Sequence, residues 1–410
     1  MTILISWKNV WRNKARSFII LISTAIGLFG GIFSYALMMG STIQRIDSAI
    51  KNETSSFQLH NPAYLQEEDI KNNIRQPEKY IKEIEKLSEV KAVSSRLKST
   101  AMISTAYSST GTIINGINPD SEIQVTRLYE SIFAGEYFDN DDQIPIIIGR
   151  KLAKKLNAGV GDKLILSVPA IDGEVVYGAF FLKGIFNTQN DLFDGIQAYI
   201  KKEDLAELIG IDKETSSELA VSLYNTDLSE KIAKQVESLF TSEIEQEEII
   251  IRNWKQIDIT LSLLIDSMSY FSWFFIGIIL IALAFGIVNT MLMVVLERVR
   301  EIGMLMAIGM NKIRIFSMIM WETLFLSLSG GIIGMIFSML FIAYFKHFGM
   351  DLSVVGEGMN AYGFSTIIYP AAPFTFYIEV LMMIILTAIL ASIFPAIKAL
   401  KLNPAEAVRE

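Results

Sequence analysis

The dominant pattern in the chain is a set of long stretches without charge, separated by mixed polar sequence. No residue between Arg16 and Arg45 is charged, and segment 17–40 has the length and apolarity of a bilayer-spanning helix, which takes about 20 residues. Further apolar stretches cover 267–296, 315–345 (broken only by Glu322) and 380–397, the last with Pro395 near its end. A secretory signal is the rival reading of the first stretch. Its apolar part is longer than the roughly 7–15 residues of such signals and no small-residue cleavage pattern follows, so it reads as an uncleaved anchor.

The block 41–266 has a different rhythm. Thr54–His60 reads as a strand, Pro77–Leu87 as a helix with Tyr80, Ile81, Ile84 and Leu87 on one face, and Val90–Tyr107 as a strand. The order recurs as strand Leu219–Tyr224, helix Leu228–Phe240 and strand Glu248–Trp254. Between these β-α-β units lie short strands such as Ile144–Ile148, Lys163–Val168, Val175–Phe186 and Gln197–Ile200, set off by Asn-Pro, Asp-Gly and Gly-Val-Gly-Asp turns. The expected fold is a membrane protein of four transmembrane α-helices with a large α+β extracytoplasmic domain inserted between helices 1 and 2. Its expected parts are segment 1–16, span 17–40, domain 41–266, span 267–296, connection 297–314, span 315–345, outer loop 346–379, span 380–397 and tail 398–410. At the ends of the domain, Ile43, Ile46 and Ile50, and Ile257, Leu261, Leu264 and Ile265, recur at helical spacing. They read as a pair of stalk helices, with two amphipathic linkers as the alternative.

Charge orients this arrangement. Of 44 acids and 36 bases, 36 acids and 24 bases fall in 41–266, a net of −12, leaving 8 acids and 12 bases, a net of +4, elsewhere. The bases flank the spans: Lys8, Arg12, Lys14 and Arg16; Arg298, Arg300, Lys312 and Arg314; Lys398, Lys401 and Arg409. Basic flanks mark the cytoplasmic side, so both termini are expected inside and the domain outside. A hydrophobic content of 51% disfavours a disordered chain, and the charge pattern disfavours a nucleic-acid binder.

Candidate chemistry is sparse. The sequence has no cysteine and hence no thiol nucleophile or disulfide. It has no Gly-Lys dipeptide and thus no phosphate-binding loop. His60 and His347 lack metal-ligand spacing, and G-x-S-x-G is missing. Asp139, Asp141 and Asp142, and Glu243, Glu245, Glu247 and Glu248, lack the alternation of a calcium loop and read better as solvated turns. No catalytic residue, metal site or cofactor of the chain's own is expected. More informative is 297–310, where Glu297, Arg298, Arg300 and Glu301 alternate with Ile302, Leu305, Met306 and Ile308, with Gly303 and Gly309 permitting breaks or close packing. A short amphipathic helix of this kind suits a partner's groove. Glu322, about two turns into the third span, is costly in lipid and is expected to snorkel or to pair with Arg298 or Arg314. Gly27 with Gly31, and Gly330 with Gly334, form G-x-x-x-G pairs that allow close helix contact.

Several motifs together resemble the ABC-transporter permeases of the MacB/LolC/LolE/FtsX kind. They are Glu297-Arg-Val-Arg-Glu-Ile-Gly303 with Met306-Ala-Ile-Gly309, Trp321-Glu322, Gly330-Gly-Ile-Ile-Gly334, and the closing Phe394-Pro-Ala-Ile-Lys…Asn403-Pro-Ala-Glu-Ala-Val-Arg409. Asn115-Gly-Ile-Asn-Pro119 with Glu122, Ile147-Ile-Gly-Arg-Lys-Leu-Ala153, Val160-Gly-Asp162, and Gly184-Ile-Phe186 followed by Asp194 resemble the lipoprotein-releasing LolC/LolE branch. The resemblance implies a second permease copy or a homologous partner, and a separate ABC ATPase that holds ATP and Mg and docks on the coupling segment. It also implies mechanotransmission across a bacterial inner membrane, with lipoproteins taken from the outer leaflet and passed to a periplasmic carrier. Leu37, Met38, Met39, Phe271, Phe274 and Phe275, near the outer ends of the first two spans, become candidates for acyl-chain contact, with helix packing or plain lipid exposure as the alternative. A MacB-like efflux permease with an adaptor and an FtsX-like regulator of a cell-wall hydrolase are the competing functions.

Overall fold

The computed structural model describes residues 2–12, 14–67, 69–138, 144–188 and 190–401. Asp139, Asp141, Asp142 and the closing 402–410 motif lie outside them. The chain divides into two compact units, one of residues 1–41, 266–351 and 367–410, the other of 42–265 and 352–366.

Four helices are long and apolar enough to cross a membrane. We label the helices of this part of the chain α1 (Thr2–Arg12), α2 (Lys14–Ala49), α3 (Ile259–Glu297), α4 (Val299–Ala307), α5 (Lys312–Phe348) and α6 (Phe374–Leu400). The helices outrun the apolar stretches, because backbone hydrogen bonding continues past the last apolar residue. Helix α6, expected from Val380, starts earlier, at Phe374. Exposed Glu379 shortens the uncharged run, while Phe376 and Tyr377 before it are buried.

Two apolar clusters hold the membrane unit. One gathers Leu21, Met291, Val295, Ile302, Ile315 and Ala396; the other gathers Leu28, Ile32, Ile276, Met335, Val380 and Ile384. Glycine sets the spacing. A Cβ at Gly334 would lie 2.7 Å from the Ala25 carbonyl oxygen, and one at Gly330 would lie 2.8 Å from Thr24 Cβ, so α5 meets the backbone of α2 through its G-x-x-x-G pair. Gly27 and Gly31 instead face Leu283 and Ile279 of α3.

In the second unit, strands β1 (Phe57–His60), β2 (Val90–Ser104), β9 (Glu218–Leu223) and β10 (Ile250–Asn253) pair in the order β10-β1-β9-β2. Each sequence-expected β-α-β unit therefore has a strand of the other between its own two strands, a split arrangement covered by helices Pro77–Ile84 and Ser229–Leu239. The far half of the long strand β2 leaves this sheet and pairs with β3 (Ser109–Ile117) and β6 (Lys163–Pro169). With β5 (Pro145–Gly149), β7 (Val175–Phe186) and β8 (Gln197–Lys201), these strands close the circuit β2-β3-β8-β5-β7-β6, and β4 (Ile132–Gly135) pairs with β7. The β-rich insertion is thus a closed barrel around Leu97, Ile114, Ile148, Leu166, Leu182 and Ile200.

The stalk-forming segments meet within this unit: Ala49, Ile50, Trp254 and Leu261 are buried together beside Ile46 and Ile265. Segment 352–366, part of the expected outer loop 346–379, belongs to the same unit. The Asn360 carbonyl accepts from the Asp191 amide at 3.0 Å, and Gly363 packs on Arg45 and Asn190.

Buried charge sits where β2 passes between the sheets. Arg96 bonds Glu122 at 2.7 Å and Glu218 at 2.6 Å, and Lys98 pairs with Glu218. His60 is buried beside this cluster, its Nδ1 within hydrogen-bond distance of Ser217 O and its Nε2 facing the side-chain amide of Gln58, and burial pushes its imidazole down to about 4. Burial alone raises the Glu218 carboxyl, but Lys98 and Arg96 bring it down to about 2.

Two expectations follow. Gly334→Ala should destabilise the membrane unit by about 1–3 kcal/mol, the usual cost of overpacking, while Gly286→Ala, with open space around it, should not, as read from thermal unfolding in detergent. Between pH 6.5 and about 4 the unfolded chain takes up a proton that folded His60 refuses, so the domain loses stability as pH falls; Glu218 extends the loss from 4.5 toward 2. His60→Gln should remove the upper part of this dependence and keep the lower, measured by urea-dependent hydrogen exchange of β1.

Candidate functional site

Segment 297–310 folds around α4 because its two ends are fixed. Arg298, at φ −105° and ψ 17°, breaks the run of α3, and Glu301 lies in the first turn, where a carboxylate suits the helix dipole. At the other end Gly309 takes φ +94°, a conformation open to glycine, and the Gly309 and Met310 amides bond back to Met306 O and Leu305 O. Asn311 then caps α5 by accepting from the Ile313 amide at 3.0 Å.

The charges of this segment divide between inside and outside. Arg298 Nη1 reaches both oxygens of Glu322 at 3.0 and 3.1 Å, and its Nε donates to Glu301 at 2.9 Å. Glu322, 4% exposed, also accepts from Asn9 Nδ2 at 2.7 Å, and Arg12 Nη2 donates to Glu301 at 2.5 Å. Of the two partners the sequence allowed Glu322, the structure selects Arg298; Arg314 is exposed. Gly303 and Ile302 are buried and Met306 packs against the same cluster, so Arg298, Glu301, Gly303 and Met306 hold α4 in place. Glu297, Arg300, Ile308 and Gly309 face outward, with Met304 and Ile313 beside them. Ile308 is 84% exposed, a large apolar side chain aimed away from its own core.

Sequence reasoning missed α1, which supplies Asn9 and Arg12. Ser6 Oγ donates to Met318 O at 3.0 Å and Trp7 meets Phe325 edge-on at 5.2 Å, seating α1 on α5. The signal was there: Trp7 with Trp11 and Lys8 with Arg12, each four residues apart.

The acyl-contact candidates also divide. Phe271, Phe274 and Phe275 are exposed on α3, while Leu37, Met38 and Met39 are half-buried on α2. Ile276, next to Phe275, turns inward into the core with Leu28 and Ile32. A groove of about 530 Å³, lined by Phe18, Ile22, Ile26, Phe29, Ile333 and Phe337 among others, lies between α2 and α5, away from these candidates. His347 is exposed, and Glu243 pairs with Lys79 at 2.6 Å. Among the described residues, no three His, Asp or Glu side chains are grouped to hold a metal.

Four helices able to cross a membrane, a short clamped helix after the second, and a large α/β insertion after the first are the architecture of a multi-pass membrane subunit. Residues 17–239 match the MacB-like periplasmic core domain and residues 273–404 the FtsX-like permease C-terminal domain. The chain belongs to the ABC transporter permeases of the MacB/FtsX superfamily, whose members work with an ATPase. It is similar to an uncharacterized ABC transporter permease of Methanocaldococcus jannaschii, 25% identical over 67% of this chain and 64% of the relative. The macrolide export ATP-binding/permease protein MacB of Mannheimia succiniciproducens is 35% identical over 23% of this chain. The lipoprotein-releasing system transmembrane protein LolC of Neisseria meningitidis is 22% identical over 75% of each chain. The chain spans less than two thirds of the archaeal permease's length and 14% of MacB's.

Removing one member of the clamp should be worse than removing both. Glu322→Gln strips Arg298 of its buried counter-charge, leaving only the partly exposed Glu301, and is expected to cost about 1–3 kcal/mol; adding Arg298→Gln should recover part of the loss. Thermal unfolding of the single and double variants measures the coupling.

Proposed function

We propose that this chain is a permease subunit that couples ATP hydrolysis on a separate ABC ATPase, the holder of ATP and Mg, to the extraction of lipoproteins or other lipid-anchored substrates from the outer leaflet of a bacterial inner membrane. The observation that carries the reading is α4. Its inner face is fixed by one buried ion pair and apolar packing, while Met304, Ile308 and Ile313 are left exposed, as is Arg300, the form of a rigid knob for a partner's groove. Rigidity matters because a helix that swivelled under load would dissipate the push it receives. Basic residues near α1, α4 and Lys398 support the orientation with both termini and α4 in the cytoplasm and the acidic domain outside.

The lipid-anchored substrate class is supported by the similarity to LolC, which covers three quarters of the chain, and by the aromatic surface of Phe271, Phe274 and Phe275. In this reading a second permease copy or a homologue completes the complex, and a periplasmic carrier receives the cargo. A MacB-like efflux permease working with an adaptor is the second reading, favoured by the MacB-like core domain over 17–239.

Ile308→Asp should lower ATPase co-purification and stimulation at least tenfold without lowering the melting temperature of the permease. Unchanged stimulation would remove α4 as the docking element. In nanodiscs, mass spectrometry of the purified complex should recover triacylated lipoproteins released on ATP only with a soluble carrier present. Recovery of small apolar compounds with an adaptor would favour the efflux reading.

A further inference from the structure

Helix α1 has three faces. Ser6 and Val10 are buried against the membrane unit, and half-buried Asn9 beside them reaches Glu322. Ile3, Leu4, Trp7 and Trp11, at helical spacing, are 48%, 65%, 43% and 44% exposed. Lys8 and Arg12 border that apolar stripe, and Lys14 follows it, also exposed. Four large apolar side chains in one exposed stripe are costly in water, and tryptophan flanked by lysine and arginine suits the boundary between headgroups and acyl chains. Charge complementarity selects the lipid: residues 1–40 hold four bases and no acid.

We propose that α1 is an in-plane sensor of anionic phospholipid. The Ile3, Leu4, Trp7 and Trp11 stripe enters the headgroup–acyl boundary, and Lys8 and Lys14 engage anionic headgroups. Seated there, α1 presents Asn9 to Glu322 and Arg12 to Glu301, completing the clamp that holds α4. Lipid composition thereby sets how firmly α4 is held for its partner. The regulatory step rests on the reading of α4 as the ATPase-docking element, whereas the lipid seat does not. Each basic residue near an anionic surface is worth about 1 kcal/mol, a factor of about five, so the two lysines together favour the seated helix roughly 25-fold.

Because the sequence contains no cysteine, Leu4→Cys gives a single attachment point for the fluorophore NBD on the full chain. In vesicles of phosphatidylcholine alone the label should emit as in water, and added phosphatidylglycerol should shift it to the blue. Lys8→Gln with Lys14→Gln should raise the phosphatidylglycerol fraction at half-shift several-fold. With the ATPase present, hydrolysis should rise with phosphatidylglycerol, and the double variant should flatten that rise. An emission independent of lipid, whether water-like or protected by another protein surface, overturns the seat. A blue shift with a lipid-independent hydrolysis rate overturns the sensor. If the unaltered chain never stimulates the ATPase while the label still responds to lipid, the docking reading of α4 fails and the seat stands.

Discussion

A carboxylate inside a membrane-spanning helix needs a counter-charge, and the pairing of Glu322 with Arg298 meets that requirement in a way that organises one whole end of the membrane unit. Neither charge is affordable alone at 5% and 15% side-chain exposure. Arg298 must therefore be delivered to α5 from the connection between α3 and α4, and the chain breaks its helix at that residue to do so. The remaining hydrogen-bonding capacity of the pair recruits Asn9 and Glu301, and Glu301 recruits Arg12. Five side chains, from α1, α4, α5 and the connection before α4, are thus tied to one buried ion pair, with Ile302 buried in the neighbouring apolar cluster.

The glycine contacts solve a different problem. Between helices in lipid there is little hydrophobic driving force, so close van der Waals approach has to supply adhesion. Gly330 and Gly334 bring α5 onto the backbone of α2, and Gly27 and Gly31 accept Leu283 and Ile279 from α3, so α2 is gripped on two faces. An apolar groove flanked by Phe18 and Phe337 lies beside these contacts. On the outward side of α3, Phe271, Phe274, Phe275, Ile278, Ile281 and Phe285 remain exposed, a surface that only lipid or another protein can cover comfortably.

The spans, their approximate limits, the two β-α-β units and the partnership of Glu322 with a nearby arginine were legible in the sequence, because each rests on local periodicity or on the cost of charge in lipid. Strand interleaving was not, since the order β10-β1-β9-β2 depends on contacts between residues nearly 200 positions apart, such as Phe57 with Asn253. The inward turn of Arg298, Glu301, Gly303 and Met306 was hidden for a related reason. An amphipathic pattern shows that a helix has two faces but not which charges the protein itself consumes. The contacts of Arg298, Asn9 and Arg12 show that Glu322 and Glu301 are already engaged. Segment 352–366 escaped because its attachment is by backbone and small-residue contacts, Asn360 with Asp191 and Gly363 with Arg45, which leave no mark in hydropathy.

The same logic of paired charge and fixed backbone governs the point where the second unit passes from helix to strand. After Ala49 the helix widens into a π-turn over Ile50–Thr54, and Ser55 then takes φ 60° and ψ −174°, a conformation that favours glycine and costs about 1–3 kcal/mol for other residues. A serine persists there only if its neighbours over-determine it. They do: the Ser56 amide donates to Val221 O at 2.9 Å, Ser56 Oγ accepts from the Leu223 amide, and Ser56 O accepts from the Trp254 amide. Glu53, within the π-turn, is held by Arg45 at 3.0 Å and by Asn190 at 2.9 Å. The bend is therefore imposed by the sheet and by these side chains, not by the helix, whose own hydrogen bonding would favour continuing straight. Residues 42–54 are thus tied to β1 and β9 through this set of bonds and through the constrained backbone of Ser55.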